Sequence, residues 1–307
     1  MSDTTASLRH QINSAGQLQS VVRTMKAVAA SSIGQYENAV AALADYYRTV
    51  ELGLGACLRG RSTVEGSGQA DAGGVGAVVF GSDQGLVGPF NDVVADYAVT
   101  VLAALPGTPE VWAVGERVHE RLRDAGLMPV GLFDVPGSVR SITPLVGRIQ
   151  VESEGRRAKG QYARLYVFHN RPTPGSLYEP VAQRLLPLDA EWQRGMTAVR
   201  WPTPTVPQVM GGVAATLGPL VRDYLFISLF RACAESLASE NASRLAAMQR
   251  ADKNIDDLLD GLNNTFHRLR QGGIDEELFD VVSGFEALNV NGTRCESASR
   301  QTTAGSP

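Results

Sequence analysis

Of the 15 prolines in this 307-residue chain, all but Pro307 lie between Pro89 and Pro219. Proline inside a helix removes a backbone hydrogen bond and clashes with the preceding turn, so the two proline-free flanks are the segments open to long helices. Both carry the matching pattern. In the first, Leu8, Ile12, Ala15, Leu18, Val22, Met25, Ala29, Ile33, Tyr36, Val40, Leu43, Tyr47, Val50 and Leu54 recur at alternating steps of three and four, a heptad seam. A helix from Leu8 to about Arg59 would span roughly 75 Å, too long for an ordinary globular helix. In the last flank the pattern returns through Tyr224, Ile227, Ala234, Leu237, Leu245, Met248, Ile255, Leu258, Leu262, Phe266 and Leu269, then Ile274, Val281 and Leu288. Pro219 stands near its start, where a helix tolerates proline. This second helix would run about 100 Å. Two such seams pair most simply as a long antiparallel coiled coil. A dozen or so buried seam side chains, at roughly 1.5–3 kcal/mol each, make the pairing plausible before backbone ordering is set against it. Polar residues interrupt the second seam from Glu240 to Arg244, so a third surface is expected to receive them.

Between the flanks, Gly60 to Gly74 reads as a flexible linker, after which strand and helix signals alternate. Strands are expected at Val75–Gly81, Glu110–Val114, Met128–Phe133 and Ala163–His169, with helices near Asn91–Leu105, Glu116–Ala125 and Ser141–Glu154. Joined by right-handed β-α-β crossovers, these make a Rossmann-like layer. The proline-rich stretch Arg171–Pro219 is expected to return a strand at Arg184–Leu188 and then run extended into the last helix. The fold class expected is therefore α/β, with a long antiparallel coiled coil of the terminal helices around a central Rossmann-like domain. Its parts are a first helix over 1–59, a linker over 60–74, the α/β domain over 75–218, a last helix over 219–288, and a polar, disordered tail over 289–307.

Chemistry finds little purchase. A net charge of −4 and a pI near 5.7 leave no basic footprint for nucleic acid, so a soluble protein partner is the more natural expectation. Cys57, Cys233 and Cys295 lack any C-x-x-C spacing, which suggests neither a disulfide framework nor a zinc site. His10, His119, His169 and His267 fall on separate elements, and no metal or general-base constellation is expected from them. No stretch approaches the roughly 20 consecutive apolar residues of a spanning helix, and the first residues lack a signal-peptide layout, so no direct membrane span is expected. The turn Gly81–Asn91 follows a strand and precedes a helix, where α/β proteins cradle phosphates. It nonetheless fits neither G-x-x-x-x-G-K-[ST] nor G-x-G-x-x-G, and the expectation is a structural turn or partner surface without a cofactor. The carboxylates Asp256, Asp257, Asp260, Asp275, Glu276 and Glu277 read as a solvated helix face.

Three ordered stretches resemble the gamma subunit family of F-type ATP synthases. Within LRHQINSAGQLQSVVRTMKAVAASSIGQYE, Thr24, Met25, Val28, Ala29 and Ala30 fit the family's T-K-A-M-x-M-V-A-A-x-K opening. In GSDQGLVGPFN, Ser82, Asp83, Gly85, Leu86, Gly88 and Asn91 match S-D-x-G-L-C-G-x-x-N, with Val87 in place of the cysteine. The stretch from Glu235 to Leu288 resembles the segment running from A-S-E-x-x-A-R-M-x-A-M through R-Q-x-x-I-T-x-E-L. The basic run after A-A-S is Ser31 to Gln35 here, and Gly272 and Gly273 replace the helix formers that follow Arg-Gln, at about 1 kcal/mol each.

The resemblance implies a non-catalytic central rotor shaft, either of the principal synthase or of a divergent, paralogous rotary ATPase. It stands inside a hexamer of alpha and beta subunits, with the epsilon subunit and the membrane c-ring as further partners, peripheral on the cytoplasmic face of a bacterial membrane. One asymmetric rod biases three equivalent catalytic subunits in turn, coupling ion-driven rotation to ATP synthesis or hydrolysis. It also implies hexamer contacts at Met25, Lys26, Arg244, Arg270, Gln271 and Glu277, and a partner surface on the α/β-domain turn at Ser82, Asp83, Gly85, Leu86, Gly88 and Asn91. On the residues alone, two rivals stay open: a Rossmann-type nucleotide-binding enzyme with helical arms, and a coiled-coil scaffold without rotary function.

Overall fold

A computed structural model describes residues 4–59, 73–174, 176–205, 207–210 and 212–299, apart from the side chains of 176 and 285–299. In chain order the elements are α1 (Thr5–Leu58), β1 (Val75–Phe80), α2 (Phe90–Ala103), β2 (Glu110–Val114), α3 (Glu116–Asp124), β3 (Pro129–Phe133), α4 (Val139–Ala158), β4 (Arg164–Thr173), β5 (Ser176–Leu186), α5 (Ala190–Ala198) and α6 (Val213–Ser299). They fall into two compact units, Met25–Gln249 and Met1–Thr24 with Arg250–Pro307, and both α1 and α6 contribute to each.

The larger unit is built on a five-stranded sheet in the order β3-β2-β1-β4-β5. The first four strands are parallel, and β5 closes the edge as an antiparallel hairpin with β4. Period-two alternation divides the strand residues between two cores. Val75, Ala77, Val79, Val111, Ala113 and Phe168 pack on one face with Val94, Ala98 and Leu102 of α2 and Val118 and Leu122 of α3. Val78, Phe80, Trp112, Val114 and Val167 face the other way, onto Ile142, Leu145 and Ile149 of α4, Val50 and Leu54 of α1, and Tyr224, Ile227 and Leu237 of α6. Trp112 is 1% exposed, and its ring N–H donates to Glu152 Oε1 at 2.9 Å. Tyr162 stacks edge-on against it, and burial raises the Tyr162 hydroxyl pKa to about 12.

In the smaller unit α1 and α6 run antiparallel. Gln19 donates to Asp256, and Arg23 reaches Asp252 at 3.2 Å. Leu8 and Ala15 are buried on this seam, whereas Leu18, expected on it, is 61% exposed.

Several expectations need correction. The last helix begins at Val213, so Pro219 lies inside it rather than at its start, and it continues past Leu288 to Ser299 where a disordered tail was expected. A short helix, α5, occupies part of the stretch read as extended. Asp189 caps it by accepting from the Trp192 N–H at 2.9 Å, a bond that also draws its carboxyl below the ordinary range. The β5 strand spans Ser176–Leu186 instead of Arg184–Leu188. Residues 60–72 of the expected linker and 300–307 of the expected tail lie outside the described residues.

One 18-residue window of α6 has a mean hydropathy of 1.4, enough by length and composition to cross a membrane. Along 213–230, however, the exposed positions are Ala214, Ala215, Gly218, Pro219 and Arg222, while Leu225, Ile227, Leu229 and Phe230 are buried in the sheet core. The apolar content of that window is spent on packing.

Candidate functional site

The turn between β1 and α2 binds the chain to itself. Leu86 and Gly88 both adopt left-handed backbone, with φ of 62° and 58°. Glycine takes that conformation freely and leucine does not, so the turn holds Leu86 in a strained shape. Asn91 accepts from the Ser82 N–H at 2.9 Å and donates to Ser82 Oγ at 2.8 Å. The Ser82 hydroxyl in turn donates to Gln84 O at 2.9 Å. Asp83 accepts from the backbone N–H of Glu116 at 3.0 Å, at the start of α3, and from that of Val135 at 2.9 Å. The anion position at the N-terminus of α3 is thus filled by the chain's own carboxylate, and a phosphate there would meet like charge. A Cβ on Gly81 would come within 2.3 Å of Val118, so only glycine lets the turn approach α3.

Of the polar stretch Glu240–Arg244, Ser243 reaches a third surface at this sheet end, and Glu235 and Ser239 before it reach it too. Three side chains four residues apart reach it in succession. Glu235 Oε2 lies 2.9 Å from buried His169 Nε2, Ser239 donates to Asn170 O at 3.0 Å, and Ser243 donates to Val87 O at 2.6 Å. Arg231 also donates to Glu235 at 2.7 Å. Burial alone would raise the Glu235 pKa, but the hydrogen bonds from His169 and Arg231 outweigh it and hold the carboxyl below its ordinary value. Asn170 extends the row by donating to Phe90 O at 2.9 Å.

Beside this row lies a cleft of about 220 Å³ lined by residues that include Ser32 and Tyr36 of α1, Asp83 and Gln84 of the turn, and Glu240 and Arg244 of α6. Arg244 donates to Glu240 Oε1 at 2.6 Å, while Glu240 Oε2 and Arg244 Nε are buried without a partner. Burial raises the Glu240 pKa, opposed by Arg244 and reinforced by Asp83. The cleft brings Arg244 and Asp83 together, two residues that sequence reasoning had assigned to separate surfaces.

The other expected contact residues are dispersed. Met25 and Lys26 are half-buried on α1 within the larger unit; Arg270, Gln271 and Glu277 are exposed on α6 within the smaller one. Gly85 has open space where a side chain would be, and Leu86 is 62% exposed, so the outer rim of the turn is accessible. Among the described residues no group of three or more His, Cys, Asp or Glu side chains is placed to hold a metal ion. Sequence reasoning missed the His169–Glu235–Arg231 cluster and the Ser239 and Ser243 contacts. Their signal was the four-residue spacing of polar groups inside an otherwise apolar seam.

The family model described as ATP synthase matches residues 4–288. The chain belongs to the ATP synthase family. Within that family its likeness is to the gamma chain: the ATP synthase gamma chain of Dinoroseobacter shibae is 27% identical over 299 residues, covering 92% of this chain and 98% of the relative. Two solved structures share the fold of this ATP synthase family member. A chain in the central stalk and c-ring structure of the Tetrahymena thermophila mitochondrial ATP synthase superposes with a TM-score of 0.54 at 20% identity, covering 75% of this chain and 99% of that one. A chain of the Euglena gracilis mitochondrial ATP synthase superposes with a TM-score of 0.58 at 15% identity, covering 94% and 95%.

Proposed function

We propose that this chain is the central rotor shaft of an F-type ATP synthase, a subunit without catalytic chemistry of its own. It turns within a hexamer of alpha and beta subunits and meets the epsilon subunit and the membrane c-ring. In this reading it is peripheral, on the cytoplasmic face of a bacterial membrane. The observation that carries the reading lies at the far end of α6. Thr5 and Arg9, at the start of α1, lie level with Phe266 and Arg270. Beyond that level α6 continues with no antiparallel partner among the described residues, and Ile274, Leu278, Phe279, Val281 and Val282 are 48–74% exposed. Asp275, Glu276, Glu277 and Asp280 interleave with them, which suits a protein sleeve rather than lipid. A single bare helix needs a collar, and a ring of subunits supplies one.

Torque passes because an asymmetric helix contacts each catalytic subunit differently, biasing their conformations in turn. Met25, Lys26, Arg244, Arg270, Gln271 and Glu277 are proposed as hexamer contacts. The rim of the β1–α2 turn, around Gly85 and Leu86, is proposed as the partner surface of the α/β domain, with Ser82, Asp83, Gly88 and Asn91 holding its shape.

The test is to tag the chain in its host, purify it in mild detergent, and measure ATPase activity and ion transport together. Alpha and beta subunits are expected to copurify, and truncation after Gln271 is expected to leave hydrolysis while abolishing ATP-driven ion transport. Recovery of the chain without those subunits, or unchanged coupling after truncation, would overturn the reading.

A further inference from the structure

Where α6 meets the β4–β5 hairpin, the larger unit holds a cleft of about 390 Å³ whose walls include Tyr47, His169, Arg171, Gln183, Ser228 and Arg231. That volume lies within the roughly 300–1,000 Å³ of small-molecule sites. Helix and strand periods explain the gathering. Ser228, Arg231 and Glu235 recur at steps of three and four and so share one face of α6, while His169 and Arg171 share one face of β4. Two polar atoms on these residues, His169 Nδ1 and Ser228 Oγ, are buried without a partner among the described residues. Buried polar groups are ordinarily hydrogen-bonded, so this pair marks a place where a group from outside the chain can bond.

The charge offered to the cleft is positive. Glu235, the carboxylate on its wall, is already engaged by His169 at 2.9 Å and by Arg231 at 2.7 Å. Glu179 pairs with Arg171 across the hairpin, and both side chains of that pair are nearly half exposed, so the contact contributes little and yields to a competitor. Each pairing uses one nitrogen of a guanidinium that carries five N–H donors. A phosphoryl group, with several oxygens to share between two such forks and a hydroxyl, suits this set better than a carboxylate with two. Tyr47 and Arg231 also line a second cleft of about 490 Å³, where Val40, Leu43, Val199 and Ile227 supply apolar wall. A phosphate-binding wall beside an apolar one leaves room for a ring attached to the phosphate.

We propose that these adjoining clefts bind a phosphate-bearing small molecule, with Arg171, Arg231 and Ser228 holding the phosphoryl group and, when the ligand is a nucleotide, the base seated beside Tyr47. The site is separate from the β1–α2 turn, where Asp83 occupies the anion position. It goes beyond the rotor-shaft reading and does not depend on it. A ligand here bridges α1, α6 and β4, and so braces the joint between the helices and the sheet.

Isothermal titration of the full chain with inorganic phosphate, ADP and ATP, at fixed ionic strength, tests the proposal directly. Saturable binding of all three is expected, tighter for the nucleotides. Arg171→Gln is expected to weaken it about tenfold, and Ser228→Ala by less. Equal affinity for phosphate and the nucleotides would support the phosphoryl site with free phosphate as its ligand. Binding no tighter than that of acetate, or affinity unchanged in both variants, would overturn it. Hydrogen exchange of the wild-type chain with and without ADP needs no variant. Slower exchange is expected in residues 169–171 and 228–235, and protection confined to the β1–α2 turn would overturn the assignment. Since the chain alone is titrated, such a failure leaves the rotor-shaft reading standing, while failure to copurify with alpha and beta subunits would sink that reading without touching this site.

Discussion

The two compact units use the same two helices for opposite purposes. In Met25–Gln249, α6 is sunk so deeply that Glu235, Ser239, Glu240 and Ser243 are buried, and most of them find partners on the sheet end. In the unit containing Arg250–Pro307, the same helix keeps Leu258, Ile274, Phe279 and Val281 largely exposed. Polar groups inside and apolar groups outside both invert the usual arrangement, and each inversion has a cause. The first is a joint in which Glu235, Ser239 and Ser243 are satisfied within the chain; the second is the surface proposed above to meet another subunit. Stability should therefore reside in the larger unit and assembly in the smaller.

The sharpest way to break that contrast is to remove a core aromatic. Trp112→Ala is expected to cost about 3–5 kcal/mol in denaturant melts of the isolated full chain. Asp83→Ala strips the acceptor from two backbone N–H groups and is expected to cost about 2–3 kcal/mol, with the loss localised to the α3 start and the β3–α4 loop by hydrogen exchange. Glu235→Gln keeps shape but removes charge, and should cost about 1–2 kcal/mol near neutral pH. Because the folded-state pKa of Glu235 is depressed, its contribution is present above the ordinary carboxylate range and lost as pH falls through the depressed value. The difference between the wild type and the variant should accordingly shrink in acid, and a difference that grew would contradict the assignment.

Smaller effects sharpen the other side of the comparison. A side chain added at Gly272 or Gly273 would meet open space, so Ala there should firm the local helix by about 1 kcal/mol each, slowing amide exchange around the site without raising the global melt. Phe279→Ala should change the stability of the isolated chain by less than about 0.5 kcal/mol while reducing recovery of the assembled complex. A large melt shift from Phe279→Ala would mean that its apolar face is already covered within the chain.

Much of this was legible from residues alone. Proline placement and the heptad seams located α1 and α6, and β1, β2, β3, β4, α2 and α3 lie within about two residues of where pattern placed them, apart from a longer C-terminal end on β4. Position 18 was misread because periodicity counts Leu18 as a seam residue, yet Gln19 makes the cross-helix bond to Asp256. Reading Pro219 as a helix start was reasonable, but tertiary packing of Tyr224 and Leu225 lets the helix begin a turn and a half earlier. The candidate site was less accessible. The turn motif was visible, but that Asp83 would span two loops depends on β2 and β3 lying side by side, which no local pattern reports. Equally, Asp256 was read on a solvated face and is exposed, but its links to Gln19 and Arg23 across the seam were not legible from local pattern.

The row of Glu235, Ser239 and Ser243 acts as a key in a keyway. An apolar helix face can slip along its neighbour by one turn, about 5.4 Å, and meet nearly equivalent packing. Here such a slip would put Ser239 or Arg231 opposite His169 in place of Glu235, so that one pair fixes the register even though Ser239 and Ser243 could exchange carbonyl partners. The α/β body is thereby locked to the helix against sliding as well as twisting, so a load applied to one is delivered to the other without backlash.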